Sequence, residues 1–248
     1  MWATYKERLK QFSERLVEAQ KFIRLIDGVR WNSKIIEDVR RSKYRELPKV
    51  DASYYESLPL SFDPNLKILE LQGIIDDLIH DLGTEDPLGK ILLHSCREYQ
   101  DLIRMLNARG TQEFYEISRR LYGSPQDHFF GSLSTVKDLG LHLYNILSVV
   151  QNRGEPEEKR VEVAAKDAMK ELEDRFGRYF AGQDVRVTLE DEMVADASAS
   201  AKTVKLRQAA TFTKRDIDIL EVHEGWVHMG TTINGLEQRI AQIGRAHV

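Results

Sequence analysis

The hydrophobic period of this chain changes once, and that change limits its fold more than any other feature. Before Gly182, apolar residues recur at three- and four-residue steps, the stripe of core-facing helices. After it they alternate, as half-buried strands require. Leu9, Phe12, Leu16, Ala19, Ile23 and Ile26 mark a helix over residues 4–27, with Gly28 ending it and a shorter helix expected over 33–43. Asp63-Pro64 and Asp86-Pro87 each place a capping carboxylate before a proline at the first helical position. The first opens a helix with Leu66, Leu69, Ile74, Leu78 and Leu82 inward, the second a helix to about Asn107. Thr111 starts a further helix through Phe114, Ile117 and Leu121, which Gly123-Ser124-Pro125 stops. Residues 133–150 read as another apolar helix, and 157–178 as a charged one with Val161, Ala165, Met169 and Leu172 inward.

Past Gly182, residues 185–189 and 203–207 alternate as strands, and the small polar run 195–200 between them reads as a turn or an irregular edge. Thr213 with Asp216 is a capping-box start signal. The helix it opens, with Ile217, Leu220 and Val227 expected inward, carries Val222-His223-Glu224-Gly225-Trp226-Val227-His228. Two imidazoles and a carboxylate this close are the residue types that bind Zn²⁺ and supply a general base. In the usual His-Glu-x-x-His arrangement the histidines are four apart and share a helix face. Here they are five apart, about 140° around an ideal α-helix. A π-type turn, with bonds between residues five apart, superposes them. The expectation is therefore a π-turn between His223 and His228, and a regular α-helix there would remove the metal reading. The bland alternative is a helix with two unremarkable histidines.

A capped helix after a strand edge is the layout in which zinc peptidases receive an extended substrate by backbone pairing. A catalytic zinc needs three protein ligands, and no third stands out. His80, His94, His128 and His142 lie singly at expected core or loop positions, and Glu237 falls in the expected loop after the helix. Trp226 reads as core packing, and Lys205 and Arg207 as solvated strand charges.

The stretch 220–235, LEVHEGWVHMGTTING, resembles the signature of the flavohaemoglobin expression-modulating QEGLA-motif family, which is similar to the microtubule-associated tyrosine carboxypeptidases. The likeness includes Met193-Val194-Ala195-Asp196-Ala197, Asp86-Pro87-Leu88-Gly89, Arg97-Glu98-Tyr99, Ala108-Arg109-Gly110-Thr111 and Leu121-Tyr122-Gly123-Ser124-Pro125. The resemblance implies a zinc metallopeptidase, carboxypeptidase-like, with His223 and His228 as Zn²⁺ ligands, Glu224 as catalytic base, and a peptide or protein C-terminus as substrate. It puts the third ligand in a later Gln-Glu-Gly-Leu-Ala stretch. This sequence stops short of that stretch, so it is expected to be an inactive fragment. Its last residues, 243–248, match the translation of a sequencing adapter and are expected to be non-native.

The expected fold is α+β and mostly helical: a helical region over 1–181, then a partial metallopeptidase core of zincin-like type over 182–242, with a small sheet and the metal-motif helix. A net charge of −4 gives no reason to expect nucleic acid. No apolar run is long enough to span a membrane, no secretory signal is visible, and one cysteine, Cys96, suits a reducing compartment. A cytoplasmic location is expected, with Cys96 a buried, inert thiol. The rival reading is a non-catalytic regulatory or scaffold protein that binds a partner through its helices.

Overall fold

The structure, a computed structural model, describes residues 2–152, 161–191, 193, 195–200 and 202–238. It is α+β and mostly helical, with eight helices before the first strand among the described residues. Two compact units divide the chain, Met1–Arg153 and Gly154–Val248.

The first unit contains α1 (Trp2–Gln20), α2 (Leu25–Val29), α3 (Ser33–Arg41), α4 (Ala52–Glu56), α5 (Pro64–Leu82), α6 (Pro87–Asn107), α7 (Gln112–Tyr122) and α8 (Val136–Asn152). Its core gathers Leu9, Phe12 and Leu16 of α1, Leu71, Ile74 and Leu78 of α5, and Leu92, Cys96 and Ile103 of α6. Both aspartate-proline signals act as caps. Asp63 accepts from the amides of Asn65 and Leu66, and Asp86 from that of Gly89. Thr111 does not cap with its side chain; its hydroxyl donates to Ala108 O instead. The first stripe breaks at a turn after Gln20, which leaves Ile23 buried but Ile26 exposed. On α5 the steps 71, 74, 75 and 78 define the buried face; Leu66 and Leu69 lie roughly 140–160° around the helix and are exposed. Burial pushes the Cys96 thiol up to about 12, which keeps it protonated and unreactive.

Helix α8 leaves most of its apolar residues exposed. Its residues Leu139, Leu141, Leu143, Tyr144, Ile146 and Leu147 are all exposed. Among the described residues no helix is long and apolar enough to cross a membrane.

The second unit is a small sheet with helices against it. It contains β1 (Val163–Ala164), α9 (Ala165–Tyr179), β2 (Arg186–Glu190), β3 (Ala197–Ser200), β4 (Thr203–Arg207), β5 (Thr211–Phe212), α10 (Lys214–Leu220), a π-helix (Glu221–Met229) and α11 (Gly230–Glu237). Strand β4 is central, parallel to β2 and antiparallel to β3, while β1 pairs with β5. Val204 and Leu206 point into the core, and Lys205 and Arg207 point away, the period of two expected of a sheet. Helix α9 buries Ala165, Ala168, Leu172 and Phe176 in this core beside Val187, Ile217, Met229 and Ile233. It therefore shares the sheet's core although it lies before the change of period. The run 195–200 supplies the edge strand β3. Small residues carry little strand propensity, so pairing with β4 makes this strand. Residues 157–160 of the expected charged helix lie outside the described residues, and Val161, expected inward, is exposed.

Candidate metal centre

Thr213 and Asp216 make the expected capping box and fix where α10 begins. The helix continues without a break into nine residues of π-helix, Glu221–Met229. The wider turn changes the phase of everything after Leu220. Val227, inward on an α-helical count, is half-exposed, and Met229 and Ile233 are buried in its place. Trp226 is likewise half-exposed rather than a core residue. It meets Tyr179 edge-on with ring centroids 4.5 Å apart.

Gly225 lets α9 approach the wide turn. A Cβ there would lie 2.3 Å from Phe176 Cε1 and 3.0 Å from its Cζ. Phe176 is 1% exposed and packed in the core of the second unit, so displacing its ring is costly. The glycine therefore serves close packing here, not a positive φ.

The π-turn brings the two histidines onto one face. Their Nε2 atoms are 3.2 Å apart, with the rings nearly perpendicular. Two zinc–nitrogen bonds of about 2.0–2.1 Å at a tetrahedral angle set their nitrogens about 3.3 Å apart. The pair thus fits two positions of one zinc ion. Glu224 is buried at 7% exposure, with Oε1 3.9 Å from His223 Nε2. A carboxylate beside the histidine pair, shielded from bulk water, is placed to hold a proton from a water at that point.

The rest of a metal site does not appear among the described residues. No group of three or more histidine, cysteine, aspartate or glutamate residues there can hold a metal ion. Ligation through His228 Nε2 puts the ring proton on Nδ1, which is buried without a hydrogen-bond partner. Metal-bound histidines ordinarily donate that proton to a carboxylate or carbonyl. His80, His94, His128 and His142 lie on solvent faces, not in the core. Glu237 is the last residue of α11 rather than a loop residue. Lys205 pairs with Glu190 and Arg207 with Asp196, so both strand cations have partners.

A family model for microtubule-associated tyrosine carboxypeptidases matches residues 37–247. The chain belongs to this family. The match spans helices of the first unit, the sheet and the π-helix, so membership rests on far more than the histidine pair. No curated protein and no solved structure matches the chain.

Arg175 on α9 is the residue most closely tied to the start of the π-helix, and sequence reasoning passes over it. Its guanidinium reaches Asp218 Oδ1 at 2.8 Å and also binds Glu171 and Glu221. The Glu171–Arg175 pair, four apart on one helix, was the only local signal of it.

Proposed function

We propose that the chain is a zinc-dependent carboxypeptidase-type hydrolase in which His223 and His228 hold the metal and Glu224 is the catalytic base. The observation that carries this reading is the 3.2 Å approach of the two Nε2 atoms across a π-turn. An unremarkable helix needs no π-turn, and π-turns concentrate at functional sites. Zinc, when bound, polarises a carbonyl and lowers the pKa of water toward neutrality. Glu224 then accepts a proton from the attacking water and returns it to the leaving amine. Two donors meet among the described residues, one fewer than the three protein ligands of a catalytic zinc site, so the test below supplies zinc in excess.

Strand β3 packs beside the π-helix and suits the extended end of a peptide substrate. Arg207 N donates to Asp196 O, which makes that couple a hydrogen-bonded pair of the antiparallel ladder. Hydrogen-bonded and open pairs alternate along such a ladder. Ala197 and Ala199, opposite Leu206 and Val204, therefore turn their backbone N–H and C=O groups away from β4. A substrate strand can pair there by main-chain bonds alone. This leaves selection to the residue at the scissile end, in keeping with a family that removes a C-terminal residue.

A second reading, a regulatory or scaffold protein, is favoured by one observation, the exposed apolar surface of α8. One experiment separates the two. Peptides ending in tyrosine are incubated with zinc and either the chain or its Glu224→Gln variant, and released tyrosine is measured. The enzyme reading predicts release that falls by at least about 10²-fold in the variant while zinc remains bound. Release unaffected by the substitution overturns it, and zinc retention with no release from either protein supports the scaffold.

A further inference from the structure

We infer that Arg175 is a positioning residue, a fork that sets where α10 becomes π-helical and thereby brings His223 and His228 together. The inference builds on the metal reading of the histidine pair. It rests on four observations. Arg175 is largely buried, with 14% of its side chain exposed, and lies on α9, outside the helix it grips. Nη1 binds both Asp218, in the last turn of α10, and Glu221, the first residue of the π-helix. Nη2 is held by Glu171, which Lys214 at the start of α10 also contacts at 3.2 Å. The adjacent residue, Phe176, fills the space over Gly225 in the middle of the π-helix.

These contacts act together because a π-turn is in effect one extra residue in a helix, and its place along the helix is not fixed by the backbone alone. If this segment wound as an ordinary α-helix instead, residues five apart would lie about 140° around the axis. The histidine Nε2 atoms would then no longer face each other. The planar guanidinium has donors at fixed angles and can bind two carboxylates three residues apart simultaneously. Asp218 and Glu221 on the same arginine tie the last α-turn to the first π-turn, and Phe176 against Gly225 fixes the phase about one turn later. Helix α9 is in this sense the template on which the motif is wound. The capping box at Thr213 bounds α10 on its N-terminal side.

Lysine at 175 keeps the charge and the buried stem but loses the fork. The test uses the full 248-residue chain and its Arg175→Lys and Arg175→Met variants, with two readouts besides activity. Amide hydrogen exchange over residues 221–229, without metal, reports the π-turn itself. The visible absorption of added Co²⁺, titrated in competition with Zn²⁺, reports the histidine pair. We expect exchange in Arg175→Lys to rise at least about tenfold at 221–229, with the amides of β2 and β4 unchanged. The Co²⁺ spectrum should alter, and metal affinity should fall about tenfold to a hundredfold, as for residues that orient ligands. Arg175→Met should behave like Arg175→Lys or worse. Unchanged exchange at 221–229 in Arg175→Lys overturns the inference, and so does a uniform rise across the whole unit, the mark of a merely structural role. If the unsubstituted chain binds no metal, the zinc reading fails, while the exchange comparison still decides the role of Arg175.

Discussion

Gly225→Ala tests the packing that supports the π-helix, and two effects oppose each other there. Alanine in place of glycine within a helix is worth up to about 1 kcal/mol in favour of the variant. Against this, the new Cβ would sit 2.3 Å from Phe176 Cε1. Ordinary carbon contacts begin near 3.5 Å, so the ring must recede by roughly 1 Å. Phe176 is 1% exposed and packed in the core of the second unit, next to Phe180. Overpacking of this kind costs typically 1–3 kcal/mol, and a near-immobile ring falls toward the upper end. The net expectation is a loss of about 1–2 kcal/mol in the stability of the second unit. Urea unfolding followed by Trp226 fluorescence measures it, with Trp2 and Trp31 replaced by phenylalanine to silence the first unit. A double-mutant cycle with Phe176→Leu should return most of the loss, since the smaller side chain makes room; contacting residues couple by about 0.5–3 kcal/mol. A Gly225→Ala variant as stable as the parent, or more so, would show that Phe176 does not hold Gly225 and that helix propensity decides the site.

Two further outcomes follow from single groups. Tyr5 donates to Asp86 at 2.7 Å, and burial followed by that hydrogen bond raises its pKa from about 10 to about 12. A raised pKa means the stabilisation is complete below pH 10 and is lost as pH rises from 10 toward 12; Tyr5→Phe should flatten that loss in urea midpoints of the first unit, and an unchanged slope would contradict it. Ala199→Pro deletes one outward amide of β3 without touching a bond to β4, a substitution edge strands tolerate. It should raise KM for peptide substrate by up to about tenfold, the worth of one hydrogen bond, with kcat little altered. An unchanged KM would remove β3 as the docking edge.

What could be read from the sequence was what is decided locally. The caps at Asp63, Asp86 and Thr213 depend on residues within one turn, and all three form as expected. The π-turn was legible for a different reason: two histidines five apart can share a face only if the helix is rewound, and it is. What failed was phase. Leu66 and Leu69 fit a helical stripe by count, yet are exposed because the buried face is chosen by the neighbouring elements; Val227 is turned outward by the π-helix, and Val161 lies before α9 begins. Strand β3 was hidden because Ala-Ser-Ala-Ser has no strand signal of its own and forms only against β4. Arg175 was hidden because its partners Asp218 and Glu221 lie more than forty residues away in sequence. Residues 133–150 read as an apolar helix, and the structure leaves most of the apolar side chains of α8 exposed; packing, not composition, decides burial.

Zinc binding by the histidine pair is the claim on which the rest depends. X-ray absorption at the zinc edge, on the chain loaded with one equivalent of zinc, reads the ligands directly. Two imidazole nitrogens are expected at about 2.0–2.1 Å, a signal lost in the His223→Ala/His228→Ala double variant. Zinc retained by the double variant with the same spectrum, or no zinc bound beyond its level by the parent, would contradict it.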